Sequence, residues 1–175
     1  MMRKLKLEEL GRISLEGFRE MSKRRIVLVL DNIRSALNVG SAFRTADAFA
    51  LERIMLCGIT AQPPHREILK SAIGATESME WAHYERTASA VLELKKNGYQ
   101  CIGVEQTSAS TQLQDYVHAD DPLALFFGNE VTGLSENILP MMDEYLEIPQ
   151  FGTKHSLNVS VCLGIVVWHV LAPKL

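Results

Sequence analysis

The sequence lacks any apolar run that reaches the ~20 residues a bilayer core requires. Its amino terminus, MMRKLKLEELGRISLEGF, also lacks the continuous apolar segment of a secretory leader. A cytoplasmic protein with no membrane partner is therefore expected. Cysteine is scarce: Cys57, Cys101 and Cys162 are odd in number, far apart and each set in an apolar run. They read as buried thiols, against a disulfide frame or a cysteine metal site. The familiar catalytic signatures are missing as well, with no GxGxxG after a strand, no GxxxxGK[ST], no GxSxG, no HExxH and no paired CxxC. His65, His83, His118, His155 and His169 lack ligand spacing, so no metal is expected. His155 beside Ser156 invites a base-and-nucleophile pair, but neighbours at a helix start point apart. There is no internal repeat, linker or low-complexity segment.

What is present fits one globular domain: 175 residues, 47% hydrophobic and 22% charged. A net charge of −3 argues against a generic nucleic-acid coat, but the charge is unevenly placed. Residues 1–25 hold eight Lys or Arg against four Glu, a balance of +4, and the remainder carries −7. A basic amino-terminal arm on an acidic body suits local contact with a phosphate backbone; a solvated helix face is the plainer alternative.

Along the chain, Leu7, Leu10, Phe18 and Met21 predict an amphipathic helix over residues 5–22, weakened by Gly11 and Gly17. RIVLVL (Arg25 to Leu30) then reads as a strand covered on both faces. After the turn DNIRSALNVGS, a helix is expected over Ala42 to Ala50. Further strands are expected at Ile54 to Cys57, Met79 to Tyr84, Tyr99 to Val104, Pro122 to Phe127 and Glu144 to Ile148. Helices are expected at Arg66 to Ala72, at Thr87 to Asn97 with Thr87 as N-cap, and briefly from Ser135 towards Leu139. Alternating strands and helices predict an α/β domain with a mostly parallel sheet and helices on both faces. The last helix, Leu157 to Leu171, has eleven hydrophobic residues in fifteen and leaves no face for water. At about 22 Å it is too short to span a bilayer, so a second subunit is expected to supply part of its cover.

Ligands in such sheets bind beyond the carboxyl ends of the strands. Three polar, glycine-bearing loops lie there. The first holds Asn38, Gly40 and Arg44, either a capping turn or a two-pronged phosphate site at a helix start. The second, FFGNEVTGLSE, sets Glu130 between Gly128 and Gly133; a carboxylate so close to apolar residues needs a partner, and Arg44 is the candidate. The third sets Ser156 and Asn158 at the last helix start, where only one cap is needed.

Taken jointly, N-x-G-x-x-x-R (Asn38, Gly40, Arg44), F-G-N-E-x-x-G-L-S (Phe127 to Ser135) and I-P-x-x-G-x-x-x-S-L-N-V-S (Ile148 to Ser160) resemble the three motifs of the SpoU, or TrmH, branch of the SPOUT RNA methyltransferases. GYQCIGVEQT, Gly98 to Thr107, resembles the strand before the second motif in members acting on tRNA. The resemblance implies a carboxyl-terminal deep trefoil knot, a homodimer, and S-adenosyl-L-methionine lined by Gly128, Ile148, Leu157 and Thr107. It implies methyl transfer to a ribose 2′-hydroxyl of RNA by residues 25–175, with residues 1–24 as a basic helical arm. By motif position, Arg44 takes the hydroxyl proton, with an RNA phosphate assisting and across the dimer, or stabilises the alkoxide. Asn38 and Glu130 would orient it, Ser156 and Asn158 would shape the third loop, and Arg24, Arg25 and Arg44 would bind RNA. Size favours tRNA over ribosomal RNA. A retained pocket without turnover, serving as a binding module, is the competing reading.

Overall fold

A computed structural model describes residues 2–119 and 121–174. The β-branched run predicted as the first strand forms β1 (Arg24–Asp31). It is followed by α2 (Ala36–Ala48), β2 (Leu51–Cys57), α3 (Arg66–Ala72), the single turn α4 (Ala75–Ser78), β3 (Glu80–Tyr84) and α5 (Thr87–Lys96). Next come β4 (Gln100–Val104), the two-residue β5 (Thr111–Gln112), β6 (Leu123–Phe127), β7 (Glu144–Glu147) and α6 (Val159–Leu171). Before β1 lies a short helix, α1 (Leu15–Glu20). The described strands form one sheet in the order β3-β2-β1-β6-β4-β7-β5, and every neighbouring pair is parallel.

Parallel strands need cover on both faces, and β1 shows how its sequence meets that need. Ile26, Leu28 and Leu30 pack into a core shared with α2, α3 and α6, while Val27 and Val29 pack with α5. The expected α/β architecture is thus present, with β1 and β6 side by side at its centre. The loops after β4, β6 and β7 emerge together at the carboxyl edge.

Several expected boundaries are corrected. The helix predicted over residues 5–22 is broken: a 3-10 turn (Leu7–Leu10) stops at Gly11, whose φ is +60°, and α1 starts afresh behind Ser14, whose hydroxyl accepts the Gly17 N–H. Phe18 is its buried anchor. α2 begins six residues earlier than the predicted Ala42, because Ser35 caps it by accepting the Asn38 N–H. Asn38 and Gly40 therefore ride on the same helix as Arg44 and not in a loop before it. Thr87 is not the cap of α5 but its first residue; its hydroxyl is drawn instead to the buried carboxylate of Asp31, 2.5 Å away. The helix expected from Ser135 is only a 3-10 turn (Leu139–Met141), which Pro140 opens. Within one chain, α6 is not covered all round: Val161, Ile165 and Trp168 remain exposed, Trp168 by 54%.

Candidate active site

A cavity of about 520 Å³ opens where the carboxyl ends of β4, β6 and β7 meet the start of α6. Of the residues singled out in the sequence, Gly128, Glu130, Ile148, Ser156, Leu157 and Asn158 all line it. The turn after β6 exists because of its glycines. A Cβ on Gly128 would lie 2.2 Å from the carbonyl carbon of Gly133, so only glycine lets the backbone cross itself there. Asn129 and Gly133 then exchange backbone hydrogen bonds of 2.9 Å, and the Asn129 amide donates to the Asn32 carbonyl at 2.7 Å.

Glu130 finds its partner at the amino end of α2. Its carboxylate accepts the N–H groups of Arg34 and Ser35 at 2.9 and 3.1 Å and the Asn38 amide at 3.0 Å. Burial pushes its pKa up, but these hydrogen bonds outweigh it and hold the group below its ordinary 4.5. Asn38 in turn accepts the Asn158 amide at 3.2 Å, while the Asn158 carbonyl oxygen caps α6 through the Ser160 N–H at 2.9 Å. One chain of hydrogen bonds, Glu130 to Asn38 to Asn158, thus joins all three motifs. Of the two polar residues at the α6 start, Asn158 is the cap, which leaves the exposed Ser156 free at the cavity wall.

Arg44 is elsewhere, so the expected contact with Glu130 and orientation by Asn38 are corrected. Six residues advance about 600° around a helix, which puts Arg44 roughly 120° away from Asn38. It lies in a separate cleft between α2 and α3. Thr107 is not in the cavity wall either; its N–H donates to the Ser110 hydroxyl at 2.8 Å within a tight turn. Arg24 and Arg25 open β1 and so stand at the opposite end of the sheet, about 20 Å from the carboxyl edge at ~3.3 Å per residue. The Arg24 N–H donates to the Ala50 carbonyl at 2.9 Å, and the Arg25 guanidinium lies 5.5 Å from the centre of the Tyr99 ring.

Two features were missed in the sequence. Asp31 and Asn32, at the end of β1, pin the surrounding loops: Asp31 accepts from Thr87 and from the Ser135 N–H at 2.7 Å, and Asn32 accepts the Ile59 N–H at 3.1 Å. A polar pair closing an otherwise apolar strand was the available signal. Glu105, inside the GVEQT stretch, faces the cavity and accepts the N–H groups of Gln106 and Leu134, both at 2.9 Å. With Glu130 and Glu147 it gives the wall three carboxylates and no Lys or Arg. Cys162, also in the wall, keeps its proton: burial and then Glu105 push its thiol up to about 11. Among the described residues no cluster of His, Cys, Asp or Glu is placed to hold a metal ion, and no helix is long and apolar enough to cross a membrane.

Residues 25–168 match the model of the SpoU rRNA Methylase family. The chain belongs to that family. A Staphylococcus aureus (strain COL) protein assigned by name to the TrmH family of tRNA/rRNA methyltransferases is 32% identical over 150 residues, 85% of this chain and 59% of its own length. The SpoU chain thus spans about three fifths of that curated relative. Among solved structures, an AdoMet-bound rRNA methyltransferase from Sinorhizobium meliloti superposes with a TM-score of 0.81 at 25% identity, covering 90% of this chain and 60% of that one. The A. aeolicus TrmH/SpoU tRNA modifying enzyme superposes with a TM-score of 0.78, over 89% of this chain and 79% of its own, and at 23% identity it speaks for the fold alone.

Proposed function

We propose that the protein uses S-adenosyl-L-methionine to methylate a ribose 2′-hydroxyl of RNA, in tRNA rather than ribosomal RNA. The observation that carries the proposal is the meeting of the second and third motifs at one cavity on the carboxyl edge, with the first motif tied through Asn38 to the wall residues Glu130 and Asn158. The volume of about 520 Å³ suits a small-molecule cofactor. The wall suits this one: Glu105, Glu130 and Glu147 favour a cationic donor, Ile148 and Leu157 offer apolar surface, and Gly128 allows close backbone approach. The AdoMet-bound Sinorhizobium relative supports the same cofactor. When bound, it supplies a methyl group activated by its positive sulfur. For tRNA, the support is the Gly98-to-Thr107 stretch, which puts Glu105 and Gln106 in the wall.

A ribose hydroxyl is a poor nucleophile, so the site must align it and lower the cost of losing its proton. Arg44 is assigned to that step. A guanidinium offers N–H donors and no acceptor, so it acts by holding phosphate and the developing alkoxide, not as the base. Because Arg44 lies outside the cavity of its own chain, the reading needs a homodimer. The exposed α6 face is its interface: Phe49, beside Arg44, meets Trp168 with ring centroids 6.1 Å apart, so the Arg44 cleft borders that face. In this reading residues 25–175 form the methyltransferase domain, threaded at its carboxyl end into the trefoil knot, and the basic arm with Arg24 and Arg25 adds RNA affinity.

The test compares two variants. Arg44→Ala is expected to bind S-adenosylmethionine with unchanged affinity by calorimetry and to lose roughly 100-fold or more in transfer. Leu157→Asp is expected to lose cofactor binding itself. Near-normal methylation by Arg44→Ala would remove that residue from the mechanism.

A further inference from the structure

We propose that the cleft between α2 and α3 seats the RNA phosphate backbone, with Lys70 as a second cation beside Arg44. The identity of the anion as RNA rests on the methyltransferase reading; the cleft itself rests on the following geometry. It is about 450 Å³ and is walled by Arg44, Thr45 and Phe49 of α2 and by Lys70, Ser71 and Ile73 at the end of α3. No carboxylate lines it, whereas the cofactor cavity has three carboxylates and no Lys or Arg. An anion is therefore favoured in the cleft and disfavoured in the cavity, the division a cationic cofactor and a polyanionic substrate require.

Neither Arg44 nor Lys70 makes a hydrogen bond or ion pair among the described residues, and both are exposed. Two unpaired cations facing one hollow repel each other until an anion sits between them. The walls are held fixed around them. Gly40 lets the helices close so tightly that a Cβ there would lie 2.1 Å from the Ser71 hydroxyl and 2.4 Å from the Ile68 carbonyl. The hydroxyls of Ser41 and Ser71 both donate to the Leu37 carbonyl at 3.0 Å, so they are spent on that packing. What remains is a guanidinium fork, a compact ammonium and the Thr45 hydroxyl, a donor set of the kind that binds phosphate. Phe49 and Ile73, the latter 68% exposed, give the sugar and base an apolar flank.

The test measures binding of a labelled, unmodified tRNA transcript by fluorescence anisotropy between about 50 and 200 mM salt, because the phosphate term is sequence-independent. Lys70→Ala is expected to lower the slope of log affinity against log salt by about 0.7 to 0.9, with Lys70→Arg restoring it and S-adenosylmethionine affinity unchanged in both. Lys96→Ala, which removes another exposed cation, on the α5 layer, is expected to leave the slope as it was. The proposal is overturned by a wild-type slope in Lys70→Ala, by an equal loss in Lys96→Ala, or by a wild-type protein that binds the transcript without salt dependence. A lowered slope in a protein that transfers no methyl group would keep the cleft and reject the methyltransferase reading; full transfer with an unaltered slope would do the reverse.

Discussion

Glu130 carries its charge at the amino end of α2, where two backbone N–H groups and the Asn38 amide converge on it. Such a site favours a carboxylate through its donors and through the positive end of the helix. Its folded pKa lies below its ordinary 4.5, so the stabilisation it brings is complete above that value and is lost as pH falls through the folded pKa. Wild-type protein is therefore expected to lose more melting temperature than Glu130→Gln between about pH 5 and pH 3, as followed by circular dichroism. Equal losses would show that the contact is not ionised in the folded state. The sequence showed that this carboxylate needs a partner, but spacing alone nominated Arg44. The helix phase of Asn38 and Arg44 could be read only once α2 was known to start at Ala36.

At the scale of elements, two glycines do different jobs. Gly128 permits a loop to cross itself; with a Cβ 2.2 Å from another backbone carbon, Gly128→Ala must open the turn after β6. The expected result is a cavity wall displaced enough to weaken S-adenosylmethionine binding at least tenfold in calorimetry, and unchanged affinity would contradict the crossing as the basis of the site. Gly40 permits two helices to touch, and Gly40→Ala is expected to cost about 1–3 kcal/mol in urea unfolding through overpacking against the Ile68 carbonyl. The buried strands were legible because β1 and β6 are near-continuous apolar runs, and α3 was legible to the residue. The start of α2 was not, because Asn38 and Gly40 in DNIRSALNVGS carry the composition of a turn while their reasons for being there are contacts with Glu130 and α3. The edge strand β5 and the single turn α4 are too short to leave a period.

For the molecule as a whole, the apolar helix α6 is the part the single chain leaves unfinished. Leu163, Val166, Val167 and Val170 are buried in the core that α6 shares with α2 and the sheet, while Val161, Ile165 and Trp168 face outward. An apolar stripe of that kind marks an association surface. Wild-type protein is expected to sediment as a dimer and Trp168→Glu as a folded monomer with reduced transfer; a monomeric wild type with full activity would rule out a site shared between copies. The convergence of the second and third motifs was legible from their places after strand ends, whereas the separation of Arg44 from the cavity follows from its phase on α2, which was hidden while the start of that helix was misplaced. The central claim is methyl transfer to a ribose hydroxyl, and alkali reads it directly, since cleavage of RNA requires a free 2′-hydroxyl. After incubation with methyl-labelled S-adenosylmethionine and undermodified total RNA, the label is expected in alkali-resistant dinucleotides from tRNA-sized molecules. Label confined to alkali-labile mononucleotides, or cofactor binding with no label in RNA, would contradict the account.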